Sequence, residues 1–200
     1  HRGCPYKCTF CNSPSQNVLY DNTTRGKFFR KRSIELVRKD LLYLKDVMNV
    51  EYVYFWADTF FAWSNKQFDE FCEMYEDFKL PFWCQTRVET VTHERIKKLK
   101  NIGLHMLAFG MEHGNEKFRA DVIDRKYSNE SAIKALQIPH QYGVPFTVNN
   151  IIGFPGETRE LSFDTIEINR NWEADQMSCS ILQPYYGTPL RKVVVENEYL

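Results

Sequence analysis

The sequence predicts an α/β fold in which parallel strands alternate with helices. From residue 34 onwards, short apolar runs alternate with stretches whose apolar residues recur at helical spacing. The short runs are rich in aromatic and β-branched residues, and they lack a clean alternation of apolar and polar positions. That pattern is typical of strands between a helix layer and a packed interior. Strands that alternate with helices form βαβ units and therefore a parallel sheet.

Capping residues and breakers set the limits of the predicted elements. Ser33 can cap the first helix, Ser64 and Gln67 form a capping box for the second, and Gly103 ends the helix that Thr92 opens. Pro139 is expected to bend or shorten the fourth helix. The predicted helices are 34–48, 64–78, 92–102, 128–141 and 158–172, and the predicted strands are 52–56, 82–86, 105–109, 144–152 and 176–182.

Composition restricts the class of protein. The chain has 200 residues with 26 basic and 26 acidic side chains, so net charge gives no global attraction for nucleic acid. A local patch stays possible at residues 25–32, where basic and aromatic residues interleave, although a solvated approach to the first helix is the preferred interpretation. We find neither an apolar stretch of membrane-spanning length nor an export signal. Because the chain begins at His1, we expect a fragment whose upstream part is missing.

The six cysteines do not suggest a disulfide framework. Cys4, Cys8 and Cys11 follow the spacing C-x3-C-x2-C, whereas the other three are scattered through apolar segments and fit small buried side chains. Structural zinc needs four ligands and a ferredoxin cluster four cysteines in other spacings. Three thiolates on one loop suit three irons of a cubane and leave the fourth iron open. A group of closely spaced cysteines in a chain with no export signal predicts a metal site and a reducing, cytoplasmic location.

This triplet, with the aromatic Phe10 just before the last cysteine, resembles the radical S-adenosylmethionine (radical SAM) superfamily. The resemblance implies a [4Fe–4S] cluster whose open iron is chelated by S-adenosylmethionine. Reduction then cleaves the cofactor to methionine and a 5′-deoxyadenosyl radical, which takes a hydrogen atom from a substrate. The resemblance also implies a partial (β/α)6 barrel whose active site lies at the carboxyl ends of the strands. Residues 1–200 would be the core domain, with the first strand just ahead of His1.

The resemblance carries over to several polar residues that end or follow strands. It places Phe10 beside the adenine and Asp58 near the methionine amino group, and it implies cofactor contacts for Arg87, Glu112 and Arg125. Arg125 would hold the methionine carboxylate with its guanidinium fork. The alternatives are a turn carboxylate for Asp58, an ion pair between Arg87 and Glu112, and a surface arginine at 125.

A second motif lies further along the chain. Residues 153–158 read Gly-Phe-Pro-Gly-Glu-Thr, in which the glycines allow a tight turn and Thr158 can cap the next helix. This string also resembles one branch of the family. In that branch the polar residue four positions before the first glycine of the string contacts the ribose of the cofactor, and the corresponding residue here is Asn149. Residues 183–190 resemble a structural turn of the family. The five histidines show no metal spacing, and His113 is of interest because it follows Glu112.

The reaction on the substrate stays open at this stage. The motifs most resemble enzymes with an N-terminal cobalamin-binding domain, which implies methyl transfer or cyclisation and cobalamin bound by an upstream domain. A tRNA-modifying enzyme is the related alternative, and an electron-transfer, metal-binding or structural zinc module is the alternative of another class. Expected partners are a small-molecule substrate and an electron donor such as flavodoxin or ferredoxin.

Overall fold

A computed structural model of the chain describes residues 1–23 and 26–199. In these residues five parallel strands form one sheet in the order β1–β2–β3–β4–β5. The strands are β1 (Val53–Phe55), β2 (Phe82–Arg87), β3 (Leu104–Glu112), β4 (Phe146–Ile152) and β5 (Gln176–Ile181). The predicted α/β class with five parallel strands is therefore confirmed, and the structure adds their sequential order in the sheet.

Eight α-helices and one short 3-10 helix lie in the described residues. They are α1 (Asn12–Thr23), α2 (Ile34–Asp46), α3 (Asn65–Tyr75), α4 (His93–Asn101), α5 (Glu116–Ile123), α6 (Asn129–Gln141), α7 (Arg159–Asn169) and α8 (Pro189–Glu196), with the 3-10 helix at Val88–Thr90. None of these helices is long and apolar enough to cross a membrane.

The predicted helix starts are confirmed by their caps. The side chains of Ser33, Thr92 and Thr158 each accept a hydrogen bond from a backbone N–H of the first helical turn. Ser64 and Gln67 form the complete capping box at the start of α3. Such caps satisfy backbone donors that the helix itself leaves free, so the sequence marks these positions clearly.

Several element limits differ from the sequence prediction. Helices α3 and α7 end three residues earlier than predicted, at Tyr75 and Asn169. Strand β3 is longer than predicted and ends at Glu112. Helix α6 ends at Gln141, as predicted, so Pro139 does not shorten it. Helices α1, α5 and α8 were not predicted.

The helices that pack on the sheet cover one of its two faces. A cluster of buried aromatic rings joins that face of β1 and β2 to α3, where Phe55 contacts Phe71, Tyr75 and Phe82. The opposite, inner face is open: Tyr54 on β1 is 64% exposed and Asn149 on β4 is exposed. Within the described residues the inner face is therefore filled only in part, since Arg87 on β2 is buried there while Tyr54 and Asn149 are exposed.

The chain ahead of β1 carries the cysteine loop and a short antiparallel contact. Arg2 and Arg30 form an isolated bridge with backbone hydrogen bonds of 2.9 and 3.0 Å. Arg25, at the start of the basic segment, lies outside the described residues.

Candidate active site at the cysteine loop

The cysteine loop, residues 4–11, is fixed to two helices by the backbone and side chain of Thr9. Its N–H donates to Ile123 O at 3.2 Å and its hydroxyl donates to Val122 O at 2.5 Å, both at the end of α5. Its carbonyl accepts a hydrogen bond from Leu190 N in the first turn of α8. Both helices were missed by the sequence prediction, and both hold the loop in place.

Helix α1 begins on the same loop. Cys4 N donates to Ser13 Oγ at 3.1 Å, Asn17 Nδ2 donates to Cys4 O at 3.1 Å, and Ser13 N lies 3.4 Å from Cys11 Sγ. Burial raises the pKa of the Cys4 thiol to about 11 and also raises that of Cys11. These thiols are therefore protonated in the free chain, and binding a metal must displace their protons.

Arg87, at the carboxyl end of β2, lies directly against Cys8. Its Nη1 donates to the buried Cys8 Sγ at 2.9 Å, and its guanidinium carbon lies 3.9 Å from the centre of the Tyr6 ring. Its Nε donates to Glu89 Oε1 at 2.5 Å. The suggested pairing of Arg87 with Glu112 is therefore wrong, because the carboxylate that pairs with Arg87 follows it in the 3-10 helix.

Glu112 pairs instead with Arg125. Arg125 Nη2 lies 2.8 Å from Glu112 Oε1, and its Nη1 donates to Gly110 O at 2.5 Å. Both side chains are buried, so the alternative of a surface arginine at position 125 is wrong. Burial raises the pKa of Glu112, while the charges of Arg125 and Arg87 oppose that effect.

The bend that turns Glu112 towards Arg125 is visible in the backbone. Glu112 has φ of 69°, and the register between β3 and β4 shifts between Gly110 and Glu112. A residue other than glycine in this left-handed region costs conformational energy, and such strain concentrates at functional sites. Sequence alone gave no signal for this bulge.

Phe10 lies at the edge of the same group. Its ring packs edge-on against the Phe154 ring, with 6.3 Å between the two ring centres, and the guanidinium carbon of Arg125 lies 5.9 Å from the centre of the Phe10 ring. The two predicted motifs, the cysteine loop and the string at residues 153–158, therefore meet through these two phenylalanines.

Strand register brings a row of positions together on the inner face of the sheet. Arg87 is paired with Gly110, Gly110 with Asn149, and Asn149 with Ser178. Asn149 is exposed, and its Oδ1 accepts a hydrogen bond from Ser178 Oγ at 2.7 Å. The structure therefore places Asn149 in the same row as Arg87, two strands away.

Asp58 lies on the loop that follows β1, three residues after the strand ends, rather than at its last residue. It is exposed, and its negative charge adds to burial in raising the pKa values of Cys4 and Cys11. The carboxylate is therefore within electrostatic range of the cysteine loop.

The string at residues 153–158 folds around its own glutamate. Glu157 Oε2 accepts hydrogen bonds from Gly153 N at 2.6 Å and Phe154 N at 2.9 Å, while Oε1 accepts from Ser162 Oγ. His113, which is 0% exposed, places Nε2 at 3.3 Å from Glu157 Oε1, and its Nδ1 accepts from Asn115 N. His113 therefore carries its proton on Nε2 and supports the loop.

Arg119 on α5 was not singled out by the sequence, although it is 0% exposed. It donates to His113 O and Tyr127 O, each at 2.7 Å, and to Asn129 Oδ1 at 2.8 Å. Its guanidinium joins the end of β3 to the chain before α6. An arginine in an unpredicted helix resembles a surface residue in sequence, so no signal revealed this role.

The cysteine loop offers three thiols as metal ligands, and the sequence left a single zinc ion and an iron–sulfur cluster as the possible metal groups. Among residues 1–23 and 26–199 no three His, Cys, Asp or Glu side chains converge to hold one metal ion. A [4Fe–4S] cubane binds each thiolate through a different iron and does not need such convergence. Two buried guanidinium groups face Cys8, and Arg125 Nε has no hydrogen-bond partner. Buried positive charge with an unused donor fits an anionic thiolate cluster and an anionic cofactor group.

Comparisons with known proteins place these features in context. The chain matches the family model of the Radical SAM superfamily over residues 1–166. It is 28% identical over 200 residues to an uncharacterized methyltransferase of Pyrococcus horikoshii, covering 100% of this chain and 42% of that protein. It is 25% identical over 197 residues to an anaerobic magnesium-protoporphyrin IX monomethyl ester cyclase of Cereibacter sphaeroides, and the match covers 94% of this chain and 30% of that protein.

Among solved structures, the fold is similar to the radical S-adenosylmethionine methyltransferase TsrM of Kitasatospora setae, determined with cobalamin and a [4Fe–4S] cluster. The TM-score is 0.77 at 16% identity, over 98% of this chain and 38% of that one. The chain thus spans less than half the length of these relatives.

Proposed function

Because this chain belongs to the radical SAM superfamily, we propose that it forms the catalytic core of an enzyme that cleaves S-adenosylmethionine reductively. Members of the family use a [4Fe–4S] cluster and S-adenosylmethionine and need a reductant. We assign Cys4, Cys8 and Cys11 as the cluster ligands. The observation that carries this assignment is the buried Cys8 thiol, 2.9 Å from the Arg87 guanidinium, on a loop fixed to α1, α5 and α8.

Cys4, Cys8 and Cys11 would hold the cluster, which would supply the one electron needed for reductive cleavage of a carbon–sulfur bond of S-adenosylmethionine. The task of this chain is to hold both cofactors and keep water from the reacting atoms. Arg87 donates a charge-assisted hydrogen bond to the Cys8 sulfur, which stabilises a thiolate there. Hydrogen bonds to cluster sulfurs also shift reduction potential, so Arg87 influences how readily the site accepts an electron.

Arg125 and Glu112 bind the amino-acid end of S-adenosylmethionine in this proposal. The free Nε of Arg125 and its planar fork suit a carboxylate, and the ion pair with Glu112 fixes the orientation of that fork. Asp58 supplies a carboxylate acceptor for the methionine amino group. Its position near Cys4 and Cys11 supports this role.

The nucleoside end is assigned to Phe10 and Asn149. The Phe10 ring offers a face for adenine beside the last cysteine, and it is held by Phe154. The Asn149 amide can both donate to and accept from ribose hydroxyls. Its exposure on the inner face and its alignment with Arg87 support the assignment.

For the whole protein we propose methyl transfer or cyclisation that depends on cobalamin. The support is the named activities of the relatives and the cobalamin in the TsrM structure. Residues 1–200 would then be the radical core of a longer chain whose cobalamin-binding domain lies upstream. We propose a small-molecule substrate and a flavodoxin or ferredoxin as electron donor.

The ligand assignment is tested by Cys8→Ala in the anaerobically reconstituted full-length protein. We expect the wild type to bind about four irons per chain and, with dithionite, to release 5′-deoxyadenosine from S-adenosylmethionine. The variant should lose the cluster absorbance and the product, because the remaining two thiolates cannot retain the cubane.

Cys179→Ala is the matched control, since this exposed thiol on β5 lies outside the loop. It should keep the wild-type iron content. Full iron loading in Cys8→Ala would refute the ligand assignment, and a fully loaded wild type that leaves S-adenosylmethionine intact would reduce the protein to an electron-transfer module.

A further inference from the structure

Two tryptophan rings stack on the inner face of the sheet. Trp56, directly after β1, is 77% exposed, and its ring centre lies 5.5 Å from that of Trp83 on β2, with 25° between the ring planes. Tyr54 on β1 is 64% exposed, and its ring centre also lies 5.5 Å from that of Trp83. These three rings, which we call the aromatic platform, therefore form one continuous surface.

The aromatic platform lies on the same face of the sheet as the candidate site. Side chains alternate between the two faces along a strand, so Trp83 shares its face with Arg87, whereas Phe82 is buried against Tyr75 of α3. At about 3.3 Å per residue, Trp83 and Arg87 are about 13 Å apart along β2. Any strand that pairs with β1 lies in the plane of the sheet, so pairing at that edge does not cover the platform.

A row of small or uncharged polar side chains leads away from the aromatic platform. The strand register places side by side, on β2 to β5, Gln85, Ala108, Thr147 and Gln176. This row is one step nearer the amino ends of the strands than the row of Arg87 and Asn149, and Trp56 adjoins it because Phe55 pairs with Cys84. Gln176 is exposed and Thr147 partly exposed, and neither side chain forms a hydrogen bond to any described residue.

This arrangement fits a flat ligand with a polar end. Contiguous exposed aromatic surface beside a few polar groups is typical of a binding site, and a planar ring gains both burial and offset stacking on such a surface. Three strand spacings of about 4.8 Å separate Trp56 from Thr147, which gives about 14 Å. A bicyclic ring that stacks on Trp56 can therefore present a hydrogen-bonding group to Thr147. The side chain of Ala108, between them, is too small to obstruct it.

We propose that the aromatic platform binds the substrate, and that the substrate carries a planar conjugated ring with uncharged hydrogen-bonding groups. This inference rests on the proposed function and names the substrate class for that site. The ring stacks on Trp56, and its polar group bonds to Thr147. The substrate then lies next to the row of Arg87 and Asn149, to which we assign the cofactor. Trp56 is a specificity-determining residue in this proposal, because a saturated, puckered ring cannot stack on it.

The test is equilibrium dialysis of 2-naphthamide, a neutral planar probe, against anaerobic full-length protein loaded with cluster and S-adenosylmethionine. Decahydro-2-naphthamide, its saturated analogue, is measured by competition. We expect the wild type to bind the planar probe about fivefold or more tighter, although the saturated ring is the more hydrophobic. Trp56→Ala should weaken 2-naphthamide binding about fivefold or more and remove the preference, and Trp56→Phe should keep part of it. Thr147→Val should weaken binding about threefold, since it removes one hydrogen bond.

Tyr43→Ala is the matched control, since this ring is 57% exposed on α2, which packs on α3 at the helix side of the sheet. It should bind 2-naphthamide within twofold of the wild type. Equal affinity of the wild type for the two probes would overturn the proposal, as would a preference that persists in Trp56→Ala. Loss of iron or a changed oligomeric state in Trp56→Ala would also overturn it, because protein rather than substrate would then cover the ring. Failure of the proposed function is distinct, since it appears as absent dithionite-driven cleavage in the wild type.

Discussion

At the scale of single residues, the site depends on a position that has no side chain. A Cβ on Gly110 would overlap Glu112 Oε1 and lie 3.3 Å from Arg125 Nη1. Its carbonyl also accepts a hydrogen bond from Arg125. Gly110 therefore leaves room for the ion pair that we assign to the methionine end of the cofactor, although its own φ is not in the left-handed region.

Gly110→Ala should weaken cofactor binding more than it weakens the fold. The added methyl group displaces the end of the Glu112 side chain, and the loss of a charged hydrogen bond costs about 1.5–3 kcal/mol. We expect S-adenosylmethionine affinity of the reconstituted protein to fall by about tenfold or more. Lys97→Ala, at an exposed position of α4 on the other side of the sheet, should leave affinity unchanged. Wild-type affinity in Gly110→Ala would show that the ion pair does not contact the cofactor.

At the scale of elements, the sequence predicted the sheet better than the helices around the loop. Strands carry dense aromatic and β-branched runs, and Ser33, Ser64 and Thr92 mark helix starts by their caps. Helix α5 is capped by Asn115, whose Oδ1 accepts a hydrogen bond from Phe118 N at 2.8 Å. Its eight residues show too little apolar periodicity for the helix to be predicted from sequence. Helix α8 begins at Pro189 after its cap Thr188, and the sequence analysis placed both residues in a turn.

The sequence indicated which polar residues belong to the candidate site, but it did not indicate which of them form ion pairs with each other. Arg87 and Arg125 both face Cys8, and Glu112 pairs with Arg125. Their partners depend on the bulge in β3 and on the position of α5, which are tertiary features that local sequence does not encode. The buried role of Arg119 depends on the same helix.

The loop at residues 153–158 gives a prediction about pH. Burial lowers the pKa of His113 below its usual 6.5, although Glu157 opposes the shift. The unfolded chain therefore binds a proton at this position at a pH where the folded chain does not. Stability from this group is present above about pH 6.5 and is lost as pH falls towards the lower folded pKa.

His113→Gln should flatten that dependence. The free energy of unfolding of cluster-free protein, measured with urea between pH 7.5 and 5.5, should fall less with acid in the variant than in the wild type. His93→Gln, at an exposed position on α4, is the control and should follow the wild-type curve. Parallel curves for His113→Gln and the wild type would show that His113 is not held neutral by the fold.

At the scale of the whole molecule, the packing is one-sided. Phe82 on β2 is 0% exposed, faces α3 and contacts the rings of Phe55, Phe60 and Tyr75. Tyr54 on the neighbouring strand points to the inner face and is 64% exposed, in contact with Tyr52 and Trp83. Stability therefore comes from the helix side of the sheet, and the inner face is left to bind ligands.

This division predicts unequal costs for two aromatic truncations on adjacent strands. Phe82→Ala should lower the free energy of unfolding by about 3–5 kcal/mol, because it leaves a cavity in the aromatic cluster. Tyr54→Ala should cost about 1 kcal/mol or less, since most of its ring is already in contact with solvent. Urea unfolding of cluster-free protein, followed by circular dichroism, measures both values. Equal costs would mean that the inner face is packed like the helix side, and the open face that holds Asn149 would then not be available to a cofactor.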